Sequence, residues 1–139
     1  MSSKGSEFPT FVSHLECSYT QKRYEPDQVH GLSEAGKPIL VRYDLEALAR
    51  AVDKESLAER TGGFWRYREF LPVRHSKNVL DLGEVMTPLI SLPKIASKLG
   101  SESGEIIVKD EGRLPTGSFK ARGLGLAVAM AKELGLQHL

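Results

Sequence analysis

Three neighbouring features towards the C-terminal end of the chain predict an α/β fold. Glu105-Ile106-Ile107-Val108 is a short β-branched run of the kind that forms a buried strand. Gly112, Pro115 and Gly117 follow within six positions and predict a tight loop. Residues 118–134 then carry Ala, Leu, Met and Val on most turns, which predicts a helix that Gly135 ends. A strand, a glycine-rich loop and a helix start form the place where α/β proteins hold anionic groups, because free backbone N–H groups and the helix dipole converge there. Lys120 falls in the first helical turn, where the dipole disfavours a cation. That misfit marks it as the first candidate functional residue.

A nucleotide-binding phosphate loop is the first reading to test. Gly112 and Gly117 have its spacing, but that motif needs Lys and then Ser or Thr directly after the second glycine. Here the order is Ser118-Phe119-Lys120, so the lysine comes two residues late and points about 200° away around the helix. It could not reach phosphates cradled by the loop.

The rest of the chain is read in order. Residues 1–8 are expected to form a disordered tail. Phe11-Val12-Ser13-His14-Leu15-Glu16-Cys17 and Pro38-Ile39-Leu40-Val41-Arg42-Tyr43 read as short strands separated by a polar turn region. Asp44 is placed to cap a helix over 45–51 that extends towards residue 59, with Leu45, Leu48, Val52 and Leu57 on its apolar side. Thr61-Gly62-Gly63 ends it. Phe64, Trp65, Tyr67 and Phe70 make an aromatic segment up to Pro72, expected to anchor by packing while its arginines reach solvent. Pro93 opens a helix to residue 99, Gly100 closes it, and 101–104 is a turn into the strand at 105.

Composition bounds the function classes. The chain has 139 residues, 40% hydrophobic and 27% charged, with a net charge of +1, which suits one modest globular domain and gives no basic face for nucleic acid. A single cysteine, Cys17, excludes an internal disulfide framework and fits a reducing compartment. Cys17 with His14 or His30 offers too few ligands for a structural zinc, so no metal is expected. No leader-like or membrane-length apolar run is present in the sequence. The expectation is a cytoplasmic protein with neither nucleic-acid nor membrane partners.

The run from Glu111 through Thr116, Gly117, Ser118, Phe119 and Lys120 to Ala121-Arg122-Gly123-Leu124 resembles the cofactor-attachment motif of pyridoxal-phosphate enzymes of the serine/threonine dehydratase and threonine synthase superfamily. Ala121 stands where many members carry Asp. Trp65-Arg66-Tyr67-Arg68-Glu69 with Leu71-Pro72, and Val41-Arg42-Tyr43-Asp44, are similar to segments of the threonine synthase family. Leu82-Gly83-Glu84-Val85-Met86-Thr87-Pro88-Leu89 resembles that family's Thr-Pro-Leu segment, with Val85 in place of a usual glycine. Some members also begin with two Cys-x-x-Cys pairs; here Cys17 keeps only the first of those cysteines.

The resemblance implies an α/β fold of the fold-type II, tryptophan synthase β-like kind, of which this chain is the N-terminal part. Residues 1–43 would be the tail and a small β element, zinc-ribbon-like without its cysteines, and residues 44–139 the start of the catalytic domain, truncated after the lysine helix. It implies pyridoxal 5'-phosphate as cofactor, Lys120 as its attachment point and catalytic residue, Phe119 as a flanking cofactor contact, and Thr116 and Ser118 as groups meeting substrate. Lysine suits this task because its pKa moves readily, and the helix N-terminus and Arg122 both disfavour the ammonium form. The implied reaction turns O-phospho-L-homoserine and water into L-threonine and phosphate, in a homodimer at full length. Another fold-type II enzyme, a dehydratase or one like cysteate synthase, shares the lysine motif, and a non-catalytic truncated fragment shares every feature. The chain alone is expected to be inactive.

Overall fold

Residues 7–100 and 104–138 are described in the computed structural model. The tail expected over 1–8 falls outside them as far as residue 6, and the turn over 101–104 as far as residue 103. Glu7 and Phe8 depart from the expected tail. Glu7 bridges His75 in antiparallel fashion, and the Phe8 N–H donates to the Arg74 carbonyl at 2.6 Å.

Strand β1 (Val12–Cys17) is the centre of an antiparallel sheet, between β2 (Arg23–Tyr24) and β3 (Ile39–Tyr43). Leu15 stands opposite Tyr24 on one side and Val41 on the other. The register shifts between Val12 and His14, a local bulge in the pairing with β3. Arg42 on β3 donates to Glu16 Oε1 on β1 from Nε at 3.0 Å and from a terminal nitrogen at 2.6 Å, which fastens the pair on its polar side. Strands β1 and β3 match the expected strands. The short β2 does not, because its two residues lie in what reads as a polar turn.

The long helix expected after Asp44 is two short ones. Helix α1 (Leu45–Ala51) starts where Asp44 Oδ1 accepts the Ala47 N–H at 2.9 Å, as expected. It stops at Val52, because Asp53 offers a competing cap: its Oδ1 accepts the Ser56 N–H at 2.7 Å and starts α2 (Lys54–Glu59). The expected apolar side is only partly buried. Leu48 is in the core, whereas Leu45 is 69% exposed.

The aromatic segment forms 3-10 turns over Phe64–Phe70, kinked at Tyr67. Trp65 is its anchor, with the indole N–H donating to the Leu80 carbonyl at 2.8 Å. The one buried residue of the run is an acid, Glu69, held by Arg60 through two hydrogen bonds of 2.6 and 3.0 Å.

Strand β4 (Leu89–Ser91) pairs antiparallel with β5 (Ile107–Lys109), enclosing helix α3 (Pro93–Lys98) in the connection. Pro93 is at the first helical position and Gly100 follows the end, as expected. The strand expected over 105–108 is shifted to 107–109, and it is exposed rather than buried. Leu89, Ile90, Ile107 and Val108 all reach the surface, because this two-stranded sheet has no layer on it among the described residues.

Helix α4 (Lys120–Glu133) begins two residues later than expected and ends as the sequence predicts. Gly135 donates to the Lys132 carbonyl at 3.2 Å and Leu136 to the Ala131 carbonyl at 2.9 Å, a Schellman closure. Its last turn is tied down by Glu133, which accepts from Asn78 Nδ2 at 2.6 Å and from the His75 backbone N–H at 3.3 Å. The core comprises Cys17, Leu48, Leu71, Val73, Ala96, Leu114 and alanines of α4. Among the described residues no helix is long and apolar enough to cross a membrane. The fold is mixed α/β with small antiparallel sheets.

Candidate functional site

The loop between β5 and α4 is built by local bonds that its sequence dictates. Asp110 Oδ1 accepts the Gly112 N–H at 3.1 Å and opens a 3-10 turn over Glu111–Arg113. Leu114 is buried at 3% exposure and anchors the loop on the core. The Gly117 N–H then donates to the Leu114 carbonyl at 2.7 Å, with φ of +64°. Only glycine takes that conformation without strain, so the bend before the lysine depends on it.

The four candidate residues sit together on this bend. Thr116 Oγ1 donates to the Ser118 carbonyl at 3.3 Å, and Ser118 Oγ accepts the Lys120 N–H at 3.3 Å. Both hydroxyls therefore shape the loop and the helix start. Phe119 is the residue before the helix and is 66% exposed. Lys120 is the first residue of α4 and is exposed. Among the described residues its amine takes part in no ion pair or hydrogen bond. Lys120, Leu124 and Ala127 lie on one outward face of the helix, at spacings of four and three.

Arg122 is turned the other way. It donates from Nε to Glu111 Oε2 at 2.6 Å and from a terminal nitrogen to Glu111 Oε1 at 3.0 Å. Thr87 Oγ1 also donates to Glu111 Oε1, at 2.6 Å. The Arg122 guanidinium first, and the Thr87 hydroxyl next, hold the Glu111 carboxyl down at about 2. Glu111 in turn raises Arg122, with Lys109 Nζ a further 3.7 Å from Glu111 Oε1. The sequence places Arg122 near Lys120 as a charge that disfavours the ammonium form. In the structure that charge is matched by Glu111.

The segment before β4 packs on the Arg122 side of the loop. Glu84 is buried, and its Oε2 accepts the Leu82 N–H at 3.0 Å. Gly63 lies against it: a Cβ there would stand 1.8 Å from the Glu84 carbonyl oxygen. Val85 occupies its place without a left-handed backbone, since Gln21 is the sole non-glycine of positive φ among the described residues. Sequence reasoning singled out Glu111, Thr87 and Arg122 as pieces of motifs and missed that they meet. No periodic spacing links positions 87, 111 and 122.

Cys17 is buried, with Sγ 3.0 Å from Ser33 Oγ and with the Tyr19 and Thr20 N–H groups donating to it at 3.4 Å. The Ser33 hydroxyl, followed by Thr20, pulls its pKa down to about 6. Among the described residues no three His, Cys, Asp or Glu side chains come together as a metal site.

Comparison with known proteins gives two concordant findings. The family described as "Pyridoxal-phosphate dependent enzyme" matches residues 80–138. The chain is 38% identical over 121 residues to a threonine synthase of Methanocaldococcus jannaschii, covering 87% of this chain and 29% of that protein. It is 34% identical over 124 residues to a threonine synthase of Methanosarcina acetivorans, covering 88% and 29%. To a threonine synthase of Halalkalibacterium halodurans it is 46% identical over 79 residues, covering 57% and 22%. The chain thus spans 29% or less of the length of these three relatives. No solved structure matches it.

Proposed function

The chain belongs to the family of pyridoxal-phosphate dependent enzymes, and from that premise we propose that it is the lysine-bearing part of a threonine synthase. The observation that carries the proposal is the extent of the similarity. Threonine synthases match 87 and 88% of the chain, far more than the lysine loop and helix that any member of the wider family would share. The dehydratase reading is supported by the lysine motif alone.

Pyridoxal phosphate is the cofactor, and the residues around the loop fit it. An attachment residue must offer an amine that no carboxylate holds, and Lys120 Nζ has no such partner among the described residues. Phe119 beside it offers an exposed aromatic ring to a flat cofactor. When bound, pyridoxal phosphate supplies a ring that stabilises negative charge at the α-carbon of an amino acid.

On this reading Lys120 Nζ would hold the cofactor, and its amine would be the base that moves the proton at the substrate α-carbon. Phe119 limits the space beside the ring. Thr116 and Ser118 orient substrate polar groups with whatever hydrogen-bonding capacity the loop leaves them. The substrates are O-phospho-L-homoserine and water, with threonine and phosphate as products.

The bare face of β4–β5 and the outward Leu124 on α4 are supported as surfaces that the rest of a longer polypeptide covers, in keeping with the length of the relatives. Residues 1–43 would then be the tail and a small β element, and 44–139 the start of a fold-type II catalytic domain, cytoplasmic and dimeric at full length. The deciding assay compares phosphate release from O-phosphohomoserine with keto-acid release from threonine, using the polypeptide at the relatives' length. Phosphate release should dominate. Dominant keto-acid formation would overturn the proposal in favour of a dehydratase.

A further inference from the structure

Three stretches far apart in the chain meet at one carboxylate. Thr87 comes from the segment before β4, Glu111 from the turn after β5, and Arg122 from the first turn of α4. Each bond joins a different pair of elements, so the cluster ties the start of the helix to the loop and the loop to the side wall. Glu111 and Arg122 are also the two ends of the bend that carries the candidate residues. Between them, the bonds of Thr116 and Ser118 stay within the loop and the first turn of α4 among the described residues.

The helix geometry makes this cluster matter for Lys120. Arg122 follows Lys120 by two residues, which is about 200° around an α-helix. When Arg122 is drawn inward to Glu111, Lys120 is turned outward. A two-point guanidinium–carboxylate pair fixes direction as well as distance, because both nitrogens and both oxygens lie in a plane. The Thr87 hydroxyl then fixes the carboxylate itself from a third side. Among the described residues the side chain of Lys120 has no bond of its own to set its direction, so the direction comes from the backbone that these three residues hold.

We propose that Thr87, Glu111 and Arg122 are positioning residues for Lys120: their hydrogen-bonded cluster fixes the rotation of the first turn of α4 and so the direction in which the lysine amine is presented. The proposal rests on the reading of Lys120 as the cofactor-attachment residue. Glu84 adds to the same wall, since its Oε1 lies 3.8 Å from where a Cβ on Gly125 would stand, one turn along the helix. The low pKa of Glu111 is consistent with a carboxylate kept charged in this role at every working pH.

The test is site-resolved labelling of the polypeptide at the relatives' length. It is incubated with pyridoxal phosphate, treated with borohydride so that any lysine–cofactor bond becomes permanent, and mapped peptide by peptide. In the wild type Lys120 should take more label than the exposed Lys94 and Lys98 of α3, which serve as internal controls. Thr87→Val keeps the shape and loses the hydroxyl; it should lower the share at Lys120 by about tenfold, the scale of one lost hydrogen bond to a charged partner, and leave the controls unchanged. Thr87→Ser should restore it. Glu111→Gln should act in the same direction as Thr87→Val. A merely structural role would raise labelling at all lysines as the chain opens. If the wild type labels Lys120 selectively and Thr87→Val leaves that share intact, the positioning proposal is overturned while the attachment reading stands. If Lys120 gains no selective label even in the wild type, both are overturned.

Discussion

Gly63 and Glu84 are in backbone contact: a Cβ at position 63 would lie 1.8 Å from the Glu84 carbonyl oxygen and 2.7 Å from its carbonyl carbon. The turn after α2 is therefore pressed on the segment that carries Glu84 and Thr87, with no room for a side chain between them.

Gly63→Ala should accordingly destabilise the chain by about 1–3 kcal/mol, since the obstruction is backbone and cannot swing aside. Gly31→Ala is the control, because among the described residues a Cβ there meets nothing within 4 Å. It should shift stability by less than about 0.5 kcal/mol. Urea unfolding of the two variants beside the wild type measures both. Equal midpoints for all three would mean that this contact is absent.

The Glu111 carboxyl predicts an acid-sensitive step. Its folded-state pKa is about 2 against an ordinary 4.5, so folding holds it ionised. A group lowered in this way contributes stability that is present above 4.5 and is lost as pH falls towards 2. Urea midpoints of the wild type should fall across that window. Glu111→Gln should be less stable at neutral pH and should show a shallower fall. Parallel curves for the two proteins would contradict the pairing with Arg122 and Thr87.

Asp53 is predicted to be the residue that separates α1 from α2. Asp53→Ala removes the acceptor of the Ser56 N–H and should cost about 1 kcal/mol. Helical signal should fall modestly in the far-ultraviolet circular dichroism. No loss of stability would show that the break is set elsewhere, at Val52.

Local chemistry was the part of this fold written legibly. Asp44, Pro93, Gly117 and Gly135 each act on residues within a few positions, and each does in the structure what its sequence context predicts. The second helix start at Asp53 was equally local but hidden, because Leu48, Val52 and Leu57 continue the apolar pattern through it. The site divides in the same way. The bend carrying Thr116, Ser118, Phe119 and Lys120 follows from glycine, proline and helix pattern. The meeting of Thr87, Glu111 and Arg122 does not, since a hydrogen bond between residues 24 positions apart leaves no period in a sequence. Ile107 and Val108 misled for a further reason: a β-branched run records a tendency to be covered and cannot say by what.

The central claim is that Lys120 bonds the cofactor, and one spectroscopic comparison tests it most directly. Pyridoxal phosphate is titrated into the polypeptide at the relatives' length and into its Lys120→Ala variant, with the visible absorbance of lysine-bound cofactor recorded beside phosphate release from O-phosphohomoserine. The account predicts saturable absorbance and turnover in the first and loss of both in the variant. Unchanged absorbance and turnover in Lys120→Ala would contradict it.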